Sequence, residues 1–141
     1  MTARVERTFD IPLPCERVWE FIADPENRAN AISVVKRFEL DETDGDRATW
    51  YIALPLLGTE VPVQTRDVAR EPPHYVQFVG RSKALKVTGE HRLEETDEGC
   101  RLHNRFVVDG RFPGVEGYFQ RNLDRELTNL ESALRTELSI D

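Results

Sequence analysis

The 141-residue chain holds two cysteines, three histidines and one methionine, and no apolar run approaches the 18 or so residues of a membrane span. Cys15 and Cys100 form no CxxC, and a disulfide scaffold or zinc site is therefore not expected. His74, His91 and His103 show neither HExxH nor any i,i+4 spacing, so no metal is indicated. G-x-S-x-G, G-x-G-x-x-G and P-loop motifs are all missing, which excludes the usual nucleophile elbow and nucleotide cradles and implies no cofactor. The opening residues MTARVERTFD contain no apolar stretch of the signal-peptide kind. Lysine is scarce as well. Only Lys36, Lys83 and Lys86 occur, every other basic residue being arginine, a bias typical of a high-GC or salt-adapted host.

Acidic residues number 26 against 19 basic, for a net charge of −7 and a pI near 5.1. That balance argues against nucleic acid and anionic membranes, which attract proteins through Lys and Arg. The expectation is one cytoplasmic domain over residues 1–141, without integral membrane segments, existing as a monomer or weak homodimer. Cys15 falls in the first turn of a predicted helix, where the helix dipole lowers a thiol pKa.

What is present has clear periodicity. Val5, Phe9 and Ile11 alternate with Glu6, Thr8 and Asp10, predicting a strand. Pro14 suits a helix start, and Val18, Trp19, Phe21 and Ile22 form a short apolar helical face. Asp24-Pro25 reads as the cap and first position of a second short helix ending near Ala31. From about Val34 to Asp109 the period is two, broken by turns at DETDGD, LLG, EPPH, RSKA and TDEG, which predicts six strands. From Val115 to Leu138 apolar residues recur every three or four positions, predicting one long amphipathic helix. This is an α+β plan: a curved seven-stranded antiparallel sheet gripping a long C-terminal helix, with two short helices after strand 1.

Hairpin registers must place apolar residues on one face throughout. The TDEG turn pairs Leu93 with Leu102, His91 with Asn104, Gly89 with Phe106 and Val87 with Val108. RSKA pairs Phe78 with Val87 and Gly80 with Leu85. The LLG turn pairs Trp50 with Thr65, Ile52 with Val63 and Leu54 with Val61. All these residues share the helix-facing side. Lys86, Glu90, Arg92, Arg101, His103 and Arg105 take the other. Asp67 has inward parity beside the apolar Val68, a conflict that a β-bulge near Arg66–Val68 would resolve.

Three stretches resemble the SRPBCC superfamily, the START-like helix-grip fold of polyketide cyclases, lipid-transfer domains and birch-pollen-type allergens. They are VERTFDIPLPCERVWEFIADPENR, REPPHYVQFVG and FPGVEGYFQRNLDRELTNLESALR, which together span nearly the whole chain. The resemblance implies the fold; the family pattern carries no universal catalytic residues.

The candidate site follows from parity. His91 and Asn104 face the helix as cross-strand neighbours, either as a satisfied structural pair or as contacts for a ligand. His91, with a reference pKa near 6.5, is the one candidate acid–base group. Arg7 has inward parity and would extend a polar row across an apolar floor, or else leave at the sheet's rim or pair with Glu126. Trp50, Thr65, Phe78, Phe106, Phe119 and Leu123 are the expected lining. Gly80 and Gly89 withhold side chains and would leave room beneath the helix. The connection Ala53–Gly58 is a candidate flap.

Three functions fit: binding or transfer of a small hydrophobic molecule such as a lipid, isoprenoid quinone or polyketide; a cyclase, dehydratase or hydrolase using His91 with Arg7 or Asn104 stabilising an enolate; or an interaction module with a filled core, as in chaperone-activating relatives.

Overall fold

The computed structural model describes residues 2–40, 47–53 and 58–140. The DETDGD turn, most of the Ala53–Gly58 connection and the Leu54–Val61 pairing lie outside the described residues. Strand β1 (Thr2–Ile11) is followed by α1 (Cys15–Ile22) and α2 (Pro25–Ala31). Six strands succeed them: β2 (Val35–Leu40), β3 (Arg47–Ala53), β4 (Glu60–Glu71), β5 (Tyr75–Arg81), β6 (Leu85–Thr96) and β7 (Gly99–Gly110). Helix α3 (Val115–Glu137) closes the order. The sheet runs β1-β7-β6-β5-β4-β3-β2, every neighbouring pair antiparallel.

Local chemistry starts and stops these elements. The Asp24 carboxylate accepts from the Glu26 backbone N–H at 2.9 Å, and Pro25 takes the first position of α2. Gly114 adopts φ 93° where the chain swings into α3, a conformation other residues avoid. At the β6–β7 turn, a Cβ on Gly99 would meet the Ile11 carbonyl oxygen, so only glycine fits that close approach.

Helix α3 lies on the sheet with Val115, Phe119, Leu123, Leu127, Leu130 and Leu134 buried, the face that the periodicity predicts. Arg121 and Arg125 are exposed as expected, whereas Glu131 is half-buried and accepts from Arg135 Nε at 3.0 Å.

The β6–β7 register agrees with the sequence reading at every pair. Two others are shifted by two residues. Trp50 faces Val63, Ala48 faces Thr65 and Ile52 faces Val61. Phe78 faces Gly89 and Gly80 faces Val87. In the β5–β6 turn the Ser82 hydroxyl accepts from Ala84 N at 3.0 Å and Leu85 N at 3.1 Å, which moves the reversal later than RSKA implied. The bulge expected near Val68 is present between Asp67 and Ala69, leaving Val68 half exposed and Asp67 buried.

The cysteines are not separate. Cys15 and Cys100 are joined in a disulfide, with Cα atoms 5.0 Å apart. The cause is topological: Ile11 at the end of β1 pairs with Cys100, and a short connection later the chain turns back over it at the first position of α1. Among the described residues no helix is long and apolar enough to cross a membrane, and no group of three or more His, Cys, Asp or Glu is placed to hold a metal.

Candidate functional site

The interior has two parts. The first is an apolar cavity of about 40 Å³ between the sheet, the α2–β2 connection and the first half of α3. Trp50, Phe106, Phe119 and Leu123 line it, as expected, together with Ile52 and Val63. The room does not come from glycine. A Cβ on Gly89 would lie 2.2 Å from the Phe78 ring, and one on Gly80 would lie 2.8 Å from Val87. Both glycines admit neighbouring side chains rather than a void. Ligand pockets usually enclose about 300–1,000 Å³, so this cavity at rest is small.

Two of the lining residues carry polar groups, and neither group reaches the cavity surface, which is wholly apolar. The Trp50 indole N–H is buried and has no hydrogen-bond partner among the described residues. Glu126, only 2% exposed, is the one charged residue of the lining among the described residues. Its carboxylate accepts from Ser33 N at 3.1 Å, Ser33 Oγ at 2.8 Å and Asn129 Nδ2 at 2.9 Å, which ties α3 to the α2–β2 connection.

The second part is a polar cluster behind Phe78. His91 is fully buried, and its Nδ1 lies 2.7 Å from Asn104 Oδ1. Asn104 spends its amide N–H groups on the carbonyls of Arg7 and Leu102 at 3.2 and 3.4 Å. Its oxygen therefore accepts, His91 Nδ1 carries the proton, and His91 Nε2 presents a lone pair. That Nε2 has no partner among the described residues. Burial, then the nearby positive charge of Arg28, push the imidazole pKa down to about 3, against a smaller opposing effect of Asn104. His91 does not border the cavity, and the expectation that it would do so fails.

Arg28 and Asp67 complete the cluster. The Arg28 guanidinium donates from Nη2 to Asp67 Oδ1 at 2.6 Å, and both side chains are at most 3% exposed. Burial lowers the Arg28 pKa and Asp67 opposes that shift, while Arg70 reaches the other Asp67 oxygen at 3.2 Å. The Arg28 guanidinium also sits 5.1 Å above the Phe78 ring centre. Neither Arg28 nor Glu126 stood out as a site residue in the sequence, although Asp67 did through its parity.

Arg7 and Thr65 leave the expected site. Arg7 donates to Asp124 Oδ1 at 3.1 Å and Thr128 Oγ at 3.0 Å on the rim of α3, so the polar row ends at Asn104 and Glu126 is not its partner. The cause is reach: an arginine near the sheet's edge strand gains solvent and carboxylates at the rim. Thr65 is buried away from the cavity, its hydroxyl donating to the Ala48 carbonyl at 3.0 Å.

Comparison with known proteins agrees with this architecture. Residues 2–135 match the family model described as polyketide cyclase / dehydrase and lipid transport, and the chain belongs to that family. It thereby falls in the START/polyketide cyclase superfamily suggested by its motifs. A START superfamily protein from Mycobacterium smegmatis superposes with a TM-score of 0.73 at 11% identity, covering 96% of this chain and 97% of that one. The Zhui aromatase/cyclase from a Streptomyces species gives 0.69 at 17% identity, covering 97% and 93%. A protein from Thermus thermophilus gives 0.69 at 20% identity, covering 97% and 99%. At these identities the likeness is one of fold. No curated protein matches the sequence.

Proposed function

We propose that the chain binds and transfers a small hydrophobic or amphipathic molecule held between the sheet and α3. The observation that carries this reading is the wholly apolar cavity between the sheet and α3, lined by Trp50, Phe106, Phe119 and Leu123. Apolar burial contributes about 2.5 kcal/mol per 100 Å² of ligand surface removed from water. At about 40 Å³ the cavity takes a lipid, quinone or polyketide only if its walls part, and Phe119 and Leu123 on α3 form the wall opposite the sheet. The family description, which covers cyclases, dehydrases and lipid transport, supports this substrate class.

An acid–base enzyme centred on His91 has less support. A group with a pKa near 3 is a poor base at neutral pH, and Asn104 holds its one proton. The small cavity gives weight to the alternative of an interaction module with a nearly filled core. Native mass spectrometry of the protein purified from its host, with extraction of whatever is bound, separates the two. A co-purifying apolar molecule is expected. A protein that emerges empty and ignores a panel of lipids and quinones overturns the binding reading. We place the protein in the cytoplasm, where Cys15 and Cys100 would stand as a reducible pair; counting free thiols in protein from its host tests this.

A further inference from the structure

Three buried polar atoms gather around one aromatic ring without a hydrogen-bond partner among the described residues: Arg28 Nε, Arg28 Nη1 and His91 Nε2. The ring is Phe78. Arg28 lies over it, and the His91 imidazole is stacked beside it at 6.3 Å with an interplanar angle of 18°. Buried polar groups in folded proteins nearly always have partners, so a pair of bare donors beside a bare acceptor defines a chemistry.

The donors belong to Arg28, because Asp67 engages only its Nη2. The acceptor is His91 Nε2, because the ring's proton is committed to Asn104. A group that satisfies both must accept from Arg28 and donate to His91 Nε2, most compactly through a single atom. A hydroxyl does so. An ether or ketone oxygen accepts only, leaving His91 bare, and a carboxylate would set its lone pairs against that of Nε2.

We propose that Arg28 and His91 form a polar subsite for the neutral hydroxyl of a phenol or alcohol, whose apolar body occupies the cavity beyond Phe78 and Phe106. This rests on the ligand-binding reading above. Phe78 connects the two parts: its ring lies 5.4 Å from Trp50 and 6.1 Å from Phe106, both of which line the cavity. Phe106, which lines the void, also lies 5.8 Å from the His91 ring, so Phe78 and Phe106 together separate the apolar void from the polar subsite. Movement of those two rings joins them, and together they set how deep a ligand reaches.

Phenol, toluene and anisole, titrated into the isotopically labelled full chain and followed by NMR, test this. A purely apolar cavity prefers toluene, the more hydrophobic isostere. The subsite reverses that order, with phenol binding more tightly than toluene and anisole, and phenol alone moving the His91 Nε2 resonance. His91→Phe and Arg28→Met each lower the phenol-to-toluene affinity ratio by about tenfold or more, the 1.4 kcal/mol of one good hydrogen bond. Should either variant fail to fold, the order of the three probes and the Nε2 resonance in the wild-type protein decide the matter. Toluene binding ahead of phenol with His91 unmoved overturns the subsite and leaves only a water molecule there, while the ligand-binding cavity stands. Failure of all three probes to bind overturns both.

Discussion

One part of the interior has space and almost nothing polar; the other, around Phe78, has charge and no space. The two cost the fold very different amounts. A cavity costs about 24 cal/mol per Å³, so the 40 Å³ void costs on the order of 1 kcal/mol. A buried ion pair that loses one partner costs about 3–5 kcal/mol. The chain can thus keep an empty, ligand-ready region cheaply, but it must hold the Arg28–Asp67 cluster intact. The two regions therefore answer to different experiments: stability reports the polar side, and uptake of apolar molecules reports the cavity.

The sharpest way to break this contrast is Asp67→Ala. It strands the Arg28 guanidinium in a site where both side chains are at most 3% exposed, and urea denaturation is expected to show a loss of about 3–5 kcal/mol. The double replacement Arg28→Met with Asp67→Leu should recover most of that loss; a double variant as unstable as the single would show that the site needs charge rather than pairing. Next come two leucines of α3. Leu127, fully buried and away from the cavity, should cost about 2–5 kcal/mol on truncation to alanine. Leu123 borders existing space and should fall at the lower end of that range, so equal losses would erase the distinction between the packed and open parts of the core.

A smaller effect is the pH dependence of His91. Its folded pKa, about 3, lies below the ordinary 6.5. Between these values the unfolded chain binds a proton that the folded protein does not, so stability is full above pH 6.5 and declines as the pH falls toward 3. The slope reaches at most about 1.4 kcal/mol per pH unit, and His91→Phe should remove that share of it in urea titrations run from about pH 7 down to about pH 4. The smallest effect is expected from Val108→Ile, which adds a methylene to the cavity wall. Stability should change by less than about 1 kcal/mol, while binding of an apolar probe weakens.

Parity arguments explain both what sequence reading reached and where it stopped. They placed His91, Asn104, Trp50, Phe78 and Phe106 on the helix side, and marked Asp67 as the residue that needs a bulge. They could not detect that two hairpins are shifted by two residues, because a strand's side chains repeat every two and such a shift moves nothing to the other face. Arg28 escaped because the seven residues PENRANA carry no apolar face to mark its side as inward, and its partner Asp67 is 39 residues away. Glu126 left a trace: it falls three residues after Leu123 and four before Leu130, a core position occupied by a charge. Cys15 and Cys100 became neighbours only through the pairing of β1 with the start of β7, which joins positions 85 residues apart in the chain and leaves no local signal.

That cysteine pair has a consequence for how the molecule comes apart. With the two sulfurs joined, everything from α1 to Cys100 at the start of β7 forms a covalent ring, and β1 on one side and the rest of β7 with α3 on the other are tails attached to it. A protease that cuts once anywhere between Cys15 and Cys100 opens the ring without releasing a piece. The cut protein keeps its mass until a reductant is added, and only cleavage in the tails sheds a fragment. A digest run with and without reductant therefore sorts cut sites into ring and tail directly.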